Sequence, residues 1–195
     1  MRPLLPIPAE RADAARNRRA VLEAFERLCA RDGIAHVSMD AVAAEAGVGK
    51  GTIYRRFGDR SGLALALLSE DERELQDAVL RGPPPLGPGA PAGERVVAFV
   101  RALTELIERR LDVLLSAGGW FGTNVYAAWR AHLELLADGE RADALLALCA
   151  PAAHAARRRY VTQQRRLEEV ERSTRALLRP RGRTRPRPGA PAPRS

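Results

Sequence analysis

The chain has 195 residues, of which 46% are hydrophobic and 29% are charged, and its formal net charge is +8. This length allows one or two domains with a sizeable core. No apolar run approaches the roughly 20 residues of a membrane span, and the proline-broken start is unlike a signal peptide. We therefore expect no membrane partner and a cytoplasmic location.

The charge is unevenly distributed along the chain. Residues 1–60 carry a net charge of +3, residues 61–150 one of −5, and residues 151–195 one of +10. The acidic middle argues against a nucleic-acid surface there, whereas both ends could meet phosphate. Cys29 and Cys149 each lie in an apolar helical pattern, which favours buried thiols over a disulfide.

The predicted elements begin with a proline-rich arm over residues 1–10, which we expect to be disordered. A first helix is predicted over about Arg11–Arg31, with an apolar stripe that includes Phe25 and Leu28, and Asp32-Gly33 ends it. Cationic side chains at its start either touch a DNA backbone or form a solvated face.

Two short helices are predicted between Ser38 and Phe57. The Ser38 hydroxyl can cap the first helix, and Gly47 is placed where a helix often ends in a left-handed residue. The second helix runs from about Lys50 to Phe57, with Ile53 and Phe57 facing inward. Two short helices joined by a tight glycine-containing turn are typical of a helix-turn-helix.

The outward face of the second helix consists of cationic, hydroxyl and glycine residues: Gly49, Lys50, Gly51, Thr52, Tyr54, Arg55 and Arg56. The cations neutralise phosphates, and an arginine can also fork onto guanine. The hydroxyls can donate to phosphates or touch base edges, and the glycines let backbone N–H groups approach a phosphate closely. The alternative is an ordinary helical hairpin with a solvated basic face.

The run from Arg18 to about Leu75 resembles the DNA-binding domain of TetR-type transcriptional regulators. The resemblance depends most on Lys50-Gly51-Thr52-Ile53-Tyr54 with Phe57 close behind, and Lys50 is the only lysine of the chain. It implies that Arg60, at the start of the next helix, touches phosphate. The predicted DNA-binding residues are therefore Ser38, Gly49, Lys50, Gly51, Thr52, Tyr54, Arg55, Arg56 and Arg60.

The rest of the chain is also predicted to be helical. A fourth helix over about Arg60–Arg81 precedes a proline-rich linker at 82–93, and a helix over about Glu94–Leu115 has a broad apolar stripe. Further helices are predicted over about 124–137, over 140–166 with an interruption at Pro151, and over 168–178. Residues 179–195 are Arg, Pro and Gly without large apolar side chains, and we expect a disordered tail that either holds nucleic acid or only aids solubility.

These elements predict an all-α protein with an N-terminal three-helix helix-turn-helix head and a C-terminal helical domain, for which the resemblance implies ligand binding and dimerisation. The predicted boundaries are a disordered arm at 1–10, a DNA-binding domain at 11–76, a regulatory and dimerisation domain at 77–178 and a disordered tail at 179–195.

The resemblance also implies an effector pocket among the middle helices and a homodimer. The candidate pocket residues are Trp120, Tyr126, Trp129 and His132, although aromatics at helical spacing are more often core. In the family the last two helices form a four-helix bundle with a second copy, whereas here they are rich in arginine. A lone helical pair would leave six apolar residues poorly covered: Leu145, Leu146, Leu148, Val170, Leu177 and Leu178.

The sequence offers no recognisable catalytic site. The three histidines, His36, His132 and His154, show no metal-ligand spacing, and there is no phosphate-binding glycine loop or nucleophile elbow. We therefore expect no enzyme activity and no cofactor. The predicted function is a ligand-responsive repressor that binds a palindromic double-stranded DNA operator as a dimer, and the alternative is non-specific nucleic-acid binding through the basic tail.

Overall fold

The structure is a computed structural model that describes residues 9–116 and 124–180. Within these ranges it contains helices and no strand, which confirms the predicted all-α class. The helices are α1 (Ala9–Asp32), α2 (Met39–Ala46), α3 (Lys50–Phe57), α4 (Arg60–Arg81), α5 (Ala92–Ser116), α6 (Asn124–Leu136), α7 (Gly139–Leu148), α8 (Pro151–Arg157) and α9 (Gln163–Leu177), with a short 3-10 turn at Ile34–His36.

Helices α1 to α4 form the head. The predicted stripe of α1 is buried, and Phe25 packs in a core with Val42, Ile53 and Leu63 from the other three helices. Because Gly62 has no side chain, the first turn of α4 can lie directly against the backbone oxygen of Phe57 at the end of α3. This close approach sets the position of α3 within the head.

Helices α5 to α9 form the body, and α5 lies at its centre. The predicted apolar stripe of α5 is buried along its length, and α5 packs against α9, α8, α6 and the head helix α4. Since α4 contacts both α5 and α3, it connects the body to α3.

The region after residue 139 differs from the prediction. Instead of one interrupted helix over 140–166, α7 and α8 are separate, because Ala150 is extended before Pro151. The Thr162 side chain then caps a new helix by accepting a hydrogen bond from the backbone N–H of Arg165, at 3.4 Å. The final helix therefore begins at Gln163, earlier than predicted, and Arg166 belongs to it.

The prediction that six apolar side chains near the C-terminus would be poorly covered in a single copy is wrong. Leu145, Leu146 and Val170 are buried within the single copy, and Leu148, Leu177 and Leu178 are half-buried against the same core. Packing of α9 along α5 and of α7 against α6 and α9 supplies this cover, so burial of these side chains does not by itself require a second copy.

None of the helices in the described ranges has the length and apolar character needed to cross a bilayer. The predicted disordered arm and tail fall almost entirely on residues 1–8 and 181–195, which lie outside the described residues.

Candidate nucleic-acid interface

The turn between α2 and α3 has the predicted geometry. The Ser38 hydroxyl accepts a hydrogen bond from the Ala41 N–H at 3.1 Å, which caps α2. Gly47 is left-handed, with φ 65° and ψ 30°, and the Val48 N–H then donates to the Ala43 carbonyl at 3.1 Å. Ser38 thus has a structural role in the head that is independent of any contact with DNA.

Helix α3 has one buried and one exposed face. Ile53 and Phe57 pack into the core of the head, as predicted, whereas Tyr54 and Arg55 are exposed. Thr52 is half-buried beside them. The polar side chains of α3 are therefore available to a partner without any unfolding of the head.

Lys50, at the start of α3, already has a partner within the head. Its Nζ atom lies 2.6 Å from Oδ2 of Asp40 on α2, and both side chains are more than half exposed. The hydrogen bond to Asp40 raises the pKa of Lys50, so this side chain stays charged. The contact of Asp40 with Lys50 comes from the close approach of α2 and α3.

The three predicted arginines differ in their contacts. Arg56 donates to the Ala14 carbonyl of α1 at 2.9 Å, and Arg60 donates to the Ala35 carbonyl at 2.6 Å. Arg55, in contrast, makes no hydrogen bond or ion pair in the described part of the chain. All the N–H donors of its guanidinium are therefore available to bind a partner.

Neither Gly49 nor Gly51 is required by packing inside the chain. A Cβ atom at Gly51 would meet nothing within 4 Å, and one at Gly49 would meet only the Thr52 hydroxyl oxygen at an ordinary 3.9 Å. Neither residue has positive φ. Glycine in a helix costs about 0.5–1 kcal/mol relative to alanine, and the described structure shows no internal contact that offsets this.

The side chain of Arg18, on α1, is half-buried against α3 and α4. The Arg18 guanidinium lies 5.7 Å from the centre of the Phe57 ring and donates to the Ala66 carbonyl at 3.4 Å. Arg18 therefore holds α1 against α3 and α4, which favours a structural role over the phosphate contact considered for this group.

The predicted effector residues are only partly brought together. Tyr126 and Trp129 line a cavity of about 20 Å³ between α5 and α6, together with Leu103 and Ile107. His132 does not line this cavity but packs on Phe99, with ring centroids 5.0 Å apart. Trp120 lies outside the described residues.

One residue that lines the cavity, Trp129, has an unpaired donor. The indole Nε1 of Trp129 is buried and has no hydrogen-bond partner in the described part of the protein. Burial, and secondarily the charge of Arg95, lowers the pKa of His132, so its ring is neutral near pH 7. The cavity is large enough for about one water molecule.

Sequence reasoning also missed a buried ion cluster between head and body. Asp71 of α4 and Arg110 of α5 are 6% and 8% exposed and form an ion pair with 2.7 Å between the nearest atoms, and Arg110 also binds Glu26 of α1. A signal was present: Asp71 follows Leu67 and Leu68 at helical spacing, and Arg110 follows Leu106 and Ile107. Charges within an apolar stripe indicate a buried pair.

A helical head in which a capped helix, a left-handed glycine and a short cationic helix follow each other is a helix-turn-helix domain. Residues 21–67 match the sequence profile of the family described as bacterial regulatory proteins, tetR family. The match covers the helix-turn-helix head, which is of the TetR type.

Relatives in Staphylococcus aureus match the same region. HTH-type transcriptional regulators SAB2452 (strain bovine RF122 / ET3-1) and SAUSA300_2515 (strain USA300) are each 38% identical over 61 residues. This alignment spans 31% of the chain and 33% of each relative, so the chain aligns with about a third of their length.

Solved structures share the fold over most of the chain. NalD, described as the secondary repressor of the MexAB-OprM multidrug efflux pump in Pseudomonas aeruginosa, superposes with a TM-score of 0.53 at 19% identity, over 82% of this chain and 95% of NalD. A TetR-like transcriptional regulator from Rhodococcus sp. RHA1 gives 0.54 at 19% identity, over 81% and 93%. At this identity the likeness supports the fold alone.

Proposed function

We propose that the protein is a transcriptional regulator that binds double-stranded DNA through α3, acts as a homodimer on a two-fold operator, and releases it when a small molecule binds the body. The observation that carries this proposal is the outward face of α3. Arg55 has no partner in the described part of the chain, and Gly49 and Gly51 leave room for a close backbone contact. A surface with donors and no side-chain obstruction suits a phosphate backbone and the base edges beside it.

Within this surface we assign two roles. Thr52, Arg55 and Arg56 are to lie at or beside the bases, whereas Lys50, Tyr54 and Arg60 hold phosphates. Lys50 and Arg60 have internal partners, but both are exposed. Because exposed polar pairs contribute little stability, exchange of these partners for phosphate oxygens costs little.

The dimer follows from the geometry of DNA. Two heads must place their α3 helices in successive major grooves, roughly 34 Å apart, and two-fold dimers are the commonest closed assembly. The surface we propose for association is the groove between α7, α8 and α9, whose walls include the small side chains of Ala153, Ser173 and Ala176. Small residues allow a helix of a second copy to approach closely.

Repulsion between the arginines of two copies is weaker at this surface than the number of arginines in the sequence suggests. Arg157 pairs with Glu169, and Arg158 lies 2.8 Å from Asp112, so both are partly neutralised within the chain. Arg159 and Arg172 have no partner in the described part. Because salt screens the repulsion that remains, we expect the dimer to strengthen as salt concentration rises.

Sedimentation across protein and salt concentration tests the dimer. Ala176→Arg places a charge in the groove and is expected to give monomers, whereas Leu135→Arg, at a residue 85% exposed on α6, is the matched control and should stay dimeric. A wild-type protein that remains monomeric at tens of micromolar, about the range of weak dimers, would contradict this part of the proposal.

The effector site is proposed at the small cavity between α5 and α6. Its lining is mostly apolar, and Trp129 in its wall has an unpaired indole N–H, so a suitable ligand is an apolar molecule with one hydrogen-bond acceptor. Since about 20 Å³ is far below the 300–1,000 Å³ of typical ligand pockets, binding must part α5 and α6. A ligand that prefers the parted state lowers DNA affinity by its differential affinity for the two states.

The effector proposal can be tested with the Trp129 emission of a Trp120→Phe variant, in which Trp129 is the sole tryptophan. A panel of apolar ketones and alcohols is titrated against matched hydrocarbons. The proposal expects the acceptor-bearing molecules to quench or shift the emission and to release bound DNA. Equal responses to the hydrocarbons would contradict the role of the indole.

The second candidate, non-specific nucleic-acid binding, is favoured by the net charge of +10 over residues 151–195. The deciding experiment is selection of bound fragments from genomic DNA, followed by affinity measurements on selected and random duplexes over a salt series. The proposed regulator enriches a two-fold sequence. A tail-driven binder shows one affinity for all sequences, and deletion of 181–195 removes most of its salt dependence.

A further inference from the structure

One guanidinium of the body binds two helices of the head. Arg110 of α5 donates from Nε to Oδ2 of Asp71 at 2.7 Å and from Nη2 to Oδ1 at 3.2 Å, a forked contact with α4. Its Nη1 atom donates to Glu26 of α1. Burial alone would lower the pKa of Arg110, but the hydrogen bonds to Asp71 and Glu26 outweigh it and raise the pKa, so the group is charged at all ordinary pH.

The contact of Arg110 with Glu26 joins the body directly to α1. For the described side chains, the hydrogen bonds and ion pairs that join α1 to helices α5–α9 run through Arg110 alone. Helix α4 has in addition an apolar contact with α5, since Leu75 and Val79 belong to the same core as α5. Among the described side chains, Arg110 is therefore the direct polar connection between α1 and the body.

The backbone of α5 changes direction at the same residue. Arg110 has φ −109° and ψ 15°, outside the helical region, although the residues on both sides are helical. Ile107, three residues earlier, lines the cavity beside Trp129. The bend therefore lies between the proposed effector cavity and the head.

Head orientation matters because α3 is held by α1. Arg56 of α3 donates to the Ala14 carbonyl of α1, and Arg18 of α1 lies over the Phe57 ring. A change in the angle of α1 relative to the body is thus passed to α3. In a dimer, that angle sets the distance between the two α3 helices and hence the separation of half-sites that both can reach.

We infer that Arg110 is a positioning residue that sets which half-site separation the protein accepts, although it touches no DNA. By fixing α1 and α4 in one orientation on the body, it restricts the pivot of each head. A restricted head loses less orientational freedom on binding at the matching separation and binds poorly at others. This inference rests on the proposed function.

A purely structural role predicts something different. Buried ion pairs are weak contributors to net stability, and breaking one destabilises because a charge is left unpaired. If that were all, loss of the contact would lower affinity for every half-site separation by the same factor. The dependence of affinity on separation therefore distinguishes the two roles.

The test uses the full-length protein, and selection from a random pool supplies the half-site sequence. Wild type, Glu26→Met and Arg110→Lys each select duplexes from this pool, and affinities are then measured for the selected half-sites at separations changed by one and two base pairs. Glu26 is 42% exposed, so Met, which has similar length and accepts no hydrogen bond here, should not prevent folding. Lysine keeps the charge of Arg110 but cannot fork onto a carboxylate.

The matched control is Glu171→Met, which breaks the ion pair between α9 and Arg101 of α5 inside the body. The expected result is that Glu26→Met and Arg110→Lys keep the wild-type half-site sequence but lower the preference for the best separation about fivefold or more, a coupling within the usual range. Glu171→Met should keep both.

Two results would overturn the inference. An unchanged preference in Glu26→Met and Arg110→Lys, with or without a uniform loss of affinity, would leave Arg110 a structural residue only. Selection of unrelated fragments by the wild type would instead refute the proposed function and the inference with it. The wild-type result thus separates the two failures.

Discussion

The ammonium group of Lys50, at the start of α3, is bound by the carboxylate of Asp40, ten residues earlier on α2, with 2.6 Å between Nζ and Oδ2. DNA binding through Lys50 therefore requires that a phosphate replace Asp40. The pair is exposed and weak, so under the proposed function Asp40 would be a mild competitor of the operator.

This competition gives the first prediction. Asp40→Asn should raise affinity for the selected operator a few-fold, whereas Lys50→Gln should lower it for all sequences and reduce the salt slope by about one per head. In the Lys50→Gln background, Asp40→Asn should have little effect. Fluorescence anisotropy over a salt series measures all three. Asp32→Asn, which breaks an exposed pair with Arg31 elsewhere in the head, is the control.

The second prediction contrasts two neighbouring arginines. Arg55→Ala should change the preference at one base pair by about 1–3 kcal/mol without loss of stability, because Arg55 has no internal partner in the described part. Arg56→Ala should also lower stability, because Arg56 donates to Ala14. Base-by-base competition assays and thermal melts measure the two effects. Wild-type ranking of all sequences in both variants would refute the assignment.

The third prediction is that one added methyl group, in Gly51→Ala, has opposite effects on stability and on DNA binding. Gly51→Ala should raise the free energy of unfolding by about 0.5–1 kcal/mol, since a Cβ there meets nothing within 4 Å, yet it should weaken DNA binding. Gly93→Ala, at an equally open position in the first turn of α5, should leave binding unchanged. Urea denaturation and anisotropy test both. Undiminished binding by Gly51→Ala would mean that DNA does not approach this backbone closely.

The fourth prediction concerns pH and the body. Glu108 is 4% exposed and is hydrogen-bonded by Arg166, with 2.6 Å between Nε and Oε1, and by His154. Burial would raise the pKa of Glu108, but the hydrogen bonds from Arg166 and His154 outweigh it and lower the pKa. The stabilisation is therefore complete above the ordinary pKa of about 4.5 and is lost as pH falls through the lower, folded value.

Glu108→Gln should accordingly be less stable at pH 7 by about 3–5 kcal/mol, because the buried charge of Arg166 loses its carboxylate partner. Its stability should also fall less steeply than that of the wild type as pH drops below about 5. Urea denaturation at several pH values measures this. The control, Glu105→Gln, removes an exposed carboxylate of the same helix and should change stability at pH 7 little. Parallel pH profiles for wild type and Glu108→Gln would contradict the role of Glu108.

Much of the head could be predicted from the sequence because its signals are local. The start and end of α3 are those predicted, since Gly49 and Gly58 flank a run whose buried positions, Ile53 and Phe57, are four residues apart. The Ser38 cap and the left-handed Gly47 also depend on neighbouring residues only. The exposed face of α3 follows directly from this periodicity.

The boundaries after residue 139 could not be predicted in the same way. A run that is helical on both sides of Pro151 can continue or break, and the packing of α9 along α5 favours a new start at Gln163. The same packing buries Val170, which the sequence left exposed without a second copy. Tertiary contacts outweighed the local pattern here.

The sequence by itself therefore determined the all-α class, the helix-turn-helix and the donors that α3 presents, because helix periodicity, caps and glycine turns act within a few residues. Only the tertiary structure decided which of those donors have internal partners and how the head is tied to the body. Glu26, Asp71 and Arg110 lie up to 84 positions apart, and a charge in an apolar stripe does not reveal which distant charge it meets. That choice is made by the packing of α1, α4 and α5.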